Sequence, residues 1–190
     1  MIVAVILAAG ESSRMGRPKP LLPIKEESFL QHIIGILKSS KVGAVKAVLG
    51  HKADEIQRKT DFSGCEVVIN KDYKQGQLSS LITAINSLPK EGVDGILLCL
   101  VDHPYISTSL VNRMIDSFYQ SEKYIIVPTY KAKRGHPVIF SNQLFPELLK
   151  ASPKVGAREV LRNNPDKILE LATEERGIIK DIDLPQDVKE

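Results

Sequence analysis

Residues 2–8 read IVAVILA, an unbroken apolar run that leads directly into a glycine-containing loop. A run that is apolar on both faces is typical of a central strand covered by helices on either side. Residues 96–101 form a second such run, and residues 44–49 and 66–69 have a similar character. Together the four runs predict a mostly parallel sheet in which residues 2–8 form the first strand.

Stretches with helical spacing separate these runs. Apolar residues recur at three- and four-residue steps after Ser28, a plausible N-cap, and again over residues 78–85 and 110–118. Alternating strands and helices of these lengths are typical of right-handed crossovers. The predicted fold class is therefore α/β, with a three-layer α/β/α Rossmann-like architecture.

The second half of the chain predicts additional strands. Residues 124–128 and 136–140 are strand-like and are joined by a basic, glycine-containing turn at residues 131–135, which predicts a small β excursion from the main sheet. Short helices are expected around residues 142–150 and 157–163, and a last strand near residues 168–171. No linker or repeat divides the 190 residues, so we expect a single domain over residues 1–190.

Composition excludes several functional classes. The 26 Lys/Arg and 23 Asp/Glu leave a net charge of only +3, and aromatic residues make up 5% with no Trp, which argues against nucleic-acid binding. Two cysteines, Cys65 and Cys99, are too few for a disulfide framework. Because no apolar stretch approaches the roughly 20 residues that cross a bilayer, we expect no membrane association and a cytoplasmic location.

The loop after the first strand carries the clearest chemistry. Gly10 and Gly16 allow a sharp turn and a close approach of backbone N–H groups to a phosphate, and basic side chains follow within the same loop. The glycine spacing fits neither a Walker loop nor a dinucleotide fingerprint. We interpret the loop as a triphosphate site, with nucleotide binding assigned to Leu7, Ala8, Ala9, Gly10, Ser12, Ser13, Arg14, Gly16 and Lys19.

Residues 7–19, LAAGESSRMGRPK, resemble the L-A-A-G-x-S-x-R-M-G-x-x-K signature of nucleotidyltransferases with a GT-A-like Rossmann core. Further segments resemble motifs of the same superfamily: residues 74–81 its G-x-x-S-S-L helix start, residues 101–104 its D-x-P metal turn, and residues 134–138 its G-H-P acceptor-side strand. Residues 181–187 resemble its closing D-x-D-x-P-x-D motif. Within the superfamily the chain is similar to the molybdenum cofactor cytidylyltransferases, which join CMP from CTP to the phosphate of molybdopterin.

This resemblance implies a role for each motif. Residues 1–105 would form the nucleotide-binding half and residues 106–190 the acceptor-binding half. Lys19, Arg14 and Asp102 would be catalytic, and Mg²⁺ would be held by Asp102 and Asp183, with Asp181 as a competitor for the second position. Gln77, Ser79 and Ser80 would contact the nucleotide, and Gly135, His136 and Pro137 the acceptor.

Several alternatives remain open at this point. The enzyme could be a guanylyltransferase for the same cofactor, or could use a sugar phosphate or another small phosphorylated acceptor. Ala9 favours the cytidylyl branch. A non-catalytic molybdenum cofactor chaperone is a rival from another class, and a molybdenum hydroxylase or its chaperone is a candidate partner. An oxidoreductase is a third alternative, although the chain has no dinucleotide fingerprint.

Overall fold

The structure is a computed structural model that describes residues 1–12 and 16–182. Ten strands are present in these residues: β1 (Ile2–Ala8), β2 (Pro23–Ile24), β3 (Glu27–Ser28), β4 (Ala44–Leu49), β5 (Glu66–Ile69), β6 (Gly95–Leu100), β7 (Ile125–Tyr130), β8 (Lys133–Arg134), β9 (Val138–Ser141) and β10 (Ile168–Ala172). The α-helices of the same residues are α1 (Phe29–Lys38), α2 (Ala53–Lys59), α3 (Gln77–Asn86), α4 (Thr108–Gln120), α5 (Phe145–Lys150) and α6 (Arg158–Asn163). Within the described ranges, no helix has both the length and the apolarity needed to cross a membrane.

One sheet contains strands from both halves of the chain. Its order is β10-β7-β9-β6-β1-β4-β5, with β8 paired only to β7. β1 is parallel to both β4 and β6, so that Leu7 lies between Val48 and Leu100 in the register. The carboxyl ends of β1, β4 and β6 therefore meet at one edge of the sheet.

The expected β excursion is smaller than the sequence suggested. β9 is antiparallel and lies between β6 and β7, inside the main sheet. All four β9 residues are buried, which requires cover on both faces and excludes an exposed hairpin. The departure from the sheet is limited to β8, whose residues are exposed.

The side chains of β1 alternate between two apolar layers. Ile2, Ala4, Ile6 and Ala8 pack with the buried faces of α1 and α4, whereas Val5 and Leu7 pack with those of α3 and α5. The three-layer α/β/α prediction is confirmed by this arrangement.

Local sequence explains how the helices on the first face begin. The Ser28 hydroxyl accepts a hydrogen bond from the Gln31 N–H at 3.2 Å, and the Ser107 hydroxyl accepts one from the Leu110 N–H at 3.0 Å. Each bond satisfies a donor that the first helical turn leaves unpaired. The prediction of Ser28 as an N-cap is thus confirmed.

Candidate active site

A cavity of about 670 Å³ opens at the carboxyl edge of β1 and β6. Ligands of open α/β sheets bind outside this edge, where the strand order reverses about the first strand. Nine of the predicted site residues line the cavity: Leu7, Ala8, Ala9, Gly10, Ser12, Lys19, Gln77, Ser80 and Asp102. The structure thus brings together the loop after β1, the start of α3 and the turn after β6, as the motifs predicted.

Lys19 and Asp102 form an ion pair on the wall of this cavity. Lys19 begins the short 3₁₀ helix Lys19–Leu21, and Asp102 lies in the turn that follows β6. The Lys19 Nζ lies 3.3 Å from Asp102 Oδ2, and the two side chains are 14% and 28% exposed. The Lys19 backbone N–H also donates to the Ser12 hydroxyl at 2.9 Å, which fixes the loop close to the pair.

The glycine loop leaves its backbone open to the cavity. Apart from its two chain neighbours, no atom of the described residues would lie within 4 Å of a Cβ placed on Gly10. Gly16 has a φ of +69°, a conformation that L side chains rarely adopt. Ser13, Arg14 and Asp183, three of the predicted site residues, lie outside the described residues.

A buried asparagine that the sequence reasoning missed organises the start of α3. The Asn70 amide donates to the Ser79 hydroxyl at 2.9 Å and to the Ser80 hydroxyl at 3.0 Å, and its own side-chain oxygen accepts from the Asp72 N–H at 2.9 Å. Ser80 is 3% exposed and lines the cavity, whereas Ser79 bonds back to the Gly76 carbonyl. Asn70 therefore orients the serine that faces the cavity. The sequence offered one indication of this role, namely that Asn70 directly follows the strand β5.

Other cavity residues were also absent from the sequence assignment. Glu11, Pro20, Tyr73 and Lys74 add an acid, a phenol and a second amine to the walls. Tyr73 packs against Gly50, where a Cβ would lie 2.7 Å from the Tyr73 Cβ. Only glycine therefore allows the loop of Tyr73 to approach the end of β4 so closely.

The chain end returns to the turn of Asp102. The Ile182 backbone N–H donates to the Asp102 carbonyl at 2.9 Å, and Asp181 immediately precedes it. Mg²⁺ takes one or two carboxylates and completes its shell with water and substrate phosphates. Within residues 1–12 and 16–182 no cluster of three metal-ligating groups exists, but Asp102 on the cavity wall fits this sparse donor set.

The predicted acceptor residues lie beside this turn, outside the lining of the cavity. The His136 ring contacts the ring of His103 in a tilted arrangement with centroids 5.0 Å apart, and the His136 backbone N–H donates to the Ile178 carbonyl at 2.9 Å. A side chain at Gly135 would collide with the same carbonyl. Gly135, His136 and Pro137 are thus held against the segment that leads to Ile182.

The two histidines are partly buried, and one ring nitrogen of each is fully enclosed. Among the described residues, neither Nδ1 of His103 nor Nδ1 of His136 has a hydrogen-bond partner. Burial lowers the pKa of His136 to about 4. Burial also lowers the pKa of His103, although the charges of Asp102 and Asp181 oppose the change. We therefore treat both imidazoles as neutral at pH 7.

This burial predicts acid sensitivity of the fold. A buried base whose pKa is depressed stabilises the protein above its unfolded pKa near 6.5 and loses that stability as the pH falls toward about 4. We expect the thermal midpoint of the wild-type protein to fall between pH 6.5 and 4 more steeply than that of His136→Gln. Calorimetry at half-unit pH steps measures the difference, and parallel profiles of the two proteins would contradict it.

A family model of the MobA-like NTP transferase domain matches residues 4–168. Three relatives span most of the chain. The purine catabolism protein PucB of Bacillus subtilis is 25% identical over 98% of this chain and 93% of its own length. The nicotine blue oxidoreductase of Paenarthrobacter nicotinovorans is 29% identical over 86% and 83%, and the molybdenum cofactor cytidylyltransferase of Escherichia coli is 26% identical over 98% and 93%.

A solved structure has the same architecture. Rv0371c from Mycobacterium tuberculosis superposes with a TM-score of 0.87 at 27% identity, covering 98% of this chain and 94% of the other. Its complex with manganese gives a TM-score of 0.83 at the same identity, with 98% and 95% covered. A divalent metal ion is therefore bound by a protein of this fold and similarity.

Proposed function

The chain belongs to the MobA-like NTP transferase family, and we propose that it transfers CMP from CTP to the phosphate of a molybdopterin-type acceptor in the cytoplasm, releasing pyrophosphate. The observation that carries this proposal is the Lys19–Asp102 pair on the wall of the cavity at the edge of β1 and β6. A cation and a carboxylate facing one open cavity suit a substrate that is both polyanionic and metal-bound.

The nucleotide occupies the larger cavity in this proposal. Its triphosphate runs along the backbone of residues 8–12, where the open space beside Gly10 permits close approach. Base and ribose lie toward Gln77 and Ser80, which also line the cavity. Ser79 supports Ser80 through their shared partner Asn70.

The reaction is a direct transfer between two phosphates. An oxygen of the acceptor phosphate attacks the α-phosphorus, a new P–O bond forms, and the bond to the bridging oxygen breaks as pyrophosphate leaves with the electron pair. Lys19 neutralises charge around the α-phosphate, and Arg14 holds the β- and γ-phosphates. Positioning and charge neutralisation are sufficient because the acceptor is already an anionic nucleophile.

Asp102, with Asp183 or Asp181, would hold Mg²⁺. When bound, the ion neutralises negative charge on the phosphate oxygens. The hydrogen bond from Ile182 to the Asp102 carbonyl supports a second acid from this part of the chain, because it joins the two segments. The manganese complex of the mycobacterial relative is consistent with a divalent ion in the fold.

The acceptor lies on the side of Gly135, His136 and Pro137. These residues adjoin the turn of Asp102 through the His103–His136 ring contact. An acceptor phosphate placed there would approach the α-phosphate from the side opposite the glycine loop. A molybdenum hydroxylase or its chaperone would then receive the product.

Pyrophosphate release tests the activity and the base together. With molybdopterin and Mg²⁺, we expect CTP to give release at least about tenfold faster than GTP, ATP or UTP, equivalent to about 1.4 kcal/mol of discrimination. Phosphate-coupled absorbance measures the rate, and a reaction without acceptor is the control. A preference for GTP would overturn the choice of base.

Two further outcomes distinguish the rival classes. Tight binding of molybdopterin without any pyrophosphate release would indicate a chaperone. Reduction or oxidation of an added redox cofactor, with no transfer from any nucleoside triphosphate, would instead indicate an activity like that named for the Paenarthrobacter relative.

A further inference from the structure

A second cavity, of about 370 Å³, lies beside the turn that follows β7. The described residues that line it are Tyr130, Lys131, Lys133, Arg176 and Ile179, and three of these five are cationic. None of the five also lines the larger cavity. The basic turn was visible in the sequence, but the proposed transfer reaction assigns it no role.

The cations of this second cavity are not neutralised by nearby acids. Among the described residues, none of Lys131, Lys133 and Arg176 forms an ion pair within 4.0 Å. Two acids close to these residues in the sequence have other partners: Glu170 pairs with Arg134 at 2.6 Å, and Glu175 accepts from the Ser107 hydroxyl at 2.7 Å.

The two lysines belong to a tight hairpin turn and the strand that follows it. Lys131 and Ala132 are the loop residues between β7 and β8, and their φ values of +48° and +62° are the positive values that a two-residue hairpin turn of this kind requires. The turn directs Lys131 over the Tyr130 ring, with its Nζ 5.5 Å from the centroid.

The helix that contributes Arg176 and Ile179 to this cavity is connected to the larger site. Arg176 and Ile179 belong to the 3₁₀ helix Arg176–Ile179, whose Ile178 carbonyl accepts from the His136 N–H. Three residues beyond this helix, Ile182 donates to the Asp102 carbonyl. One short segment therefore contacts the second cavity, the acceptor side and the turn of Asp102.

We propose that the second cavity binds a phosphate-class oxyanion carried by a small molecule. A guanidinium offers paired N–H donors to such a group, and the two ammonium groups add charge from the other wall. The Tyr130 ring provides an apolar flank for the organic part of the ligand. This site does not depend on the proposed function, because its ligand chemistry follows from its own lining.

Amide NMR of the full-length protein locates binding without requiring turnover. Titration with inorganic phosphate or phenyl phosphate is expected to shift the amide signals of residues 130–134 and 176–179. Arg176→Gln combined with Lys133→Gln should raise the dissociation constant at these signals at least about tenfold, the loss of about 1.4 kcal/mol. Lys154→Gln, which removes an exposed lysine elsewhere, should leave it unchanged.

The two sources of the oxyanion predict different kinetics. If it belongs to the acceptor, Arg176→Gln raises the KM for the acceptor and leaves the KM for CTP unchanged. If it is a separate effector, free phosphate alters the wild-type rate but not that of Arg176→Gln.

The NMR titration also defines the results that would contradict the proposed site. These are amide shifts confined to residues 7–19 and 76–80, or amide shifts at residues 130–134 that persist in the double variant. If no nucleoside triphosphate gave pyrophosphate, the proposed function would be wrong, but the binding site located by NMR would be unaffected.

Discussion

Turnover of the Asp102→Asn variant is expected to fall by about 10²- to 10³-fold, the loss that follows removal of one group aimed at transition-state charge. The amide keeps the size of the carboxylate but removes the negative charge that Mg²⁺ binding requires. The fold should tolerate this change, because the Asp102 side chain is 28% exposed and its ion pair with Lys19 lies partly in solvent. We therefore expect the thermal midpoint to change little while kcat decreases.

Asp116→Asn provides a matched control for this variant. Asp116 also pairs with a lysine, Lys41, at 2.7 Å, but on the exposed surface of α4. It should retain wild-type turnover. Measuring kcat as a function of Mg²⁺ concentration adds a second readout, since Asp102→Asn should require more metal to reach its reduced maximum. Wild-type kcat and metal dependence in Asp102→Asn would remove Asp102 from the proposed mechanism.

The fold was largely predictable because its signals are local and consistent. β1 is apolar on both faces, and a strand with this pattern must be covered on both sides, which leads to three layers. The apolar spacing of α1 likewise matched one buried face. The position of β9 was not predictable in the same way, since its place between β6 and β7 depends on pairing between strands distant in the sequence.

The residues proposed to bind the nucleotide could be predicted from short motifs, whereas the contacts that support them could not. Gly10, Lys19 and Asp102 each stand at the end of a strand or within a distinctive string, so their convergence could be anticipated. Asn70 carries no motif of its own, and its importance arises only when β5 places it beside Ser79 and Ser80. Whether a polar side chain is buried depends on the fold, so it cannot be predicted from the residue type alone.

The acceptor side shows the same limit. The sequence placed His136 near the acceptor, but its ring contact with His103 joins residues 33 positions apart. The second cavity likewise combines the turn at Lys131 with Arg176, which lies in the short 3₁₀ helix after β10. Neither pairing is encoded in a local pattern, and both become visible only when the long-range packing is known.

Removal of the Lys19 amine should be as damaging as removal of the Asp102 carboxylate, although for a different reason. Lys19→Ala eliminates a cation beside the proposed α-phosphate, and we expect kcat/KM for CTP to fall by about 10²- to 10³-fold. Lys19→Arg should recover only part of this loss, because a planar guanidinium cannot place its charge where the compact ammonium does. Steady-state kinetics of the two variants measures the difference.

Lys41→Ala is the matched control for Lys19, since it breaks the exposed pair with Asp116 on α4. It should retain wild-type kinetics.

The Lys19→Ala/Asp102→Asn double variant distinguishes a catalytic role of the two residues from a purely structural one. If the pair were only a structural ion pair, removing both partners would restore the activity that either single change had lost. We expect turnover of the double variant to remain at or below that of each single variant, because in the proposed mechanism each group acts on a different part of the Mg-nucleotide substrate.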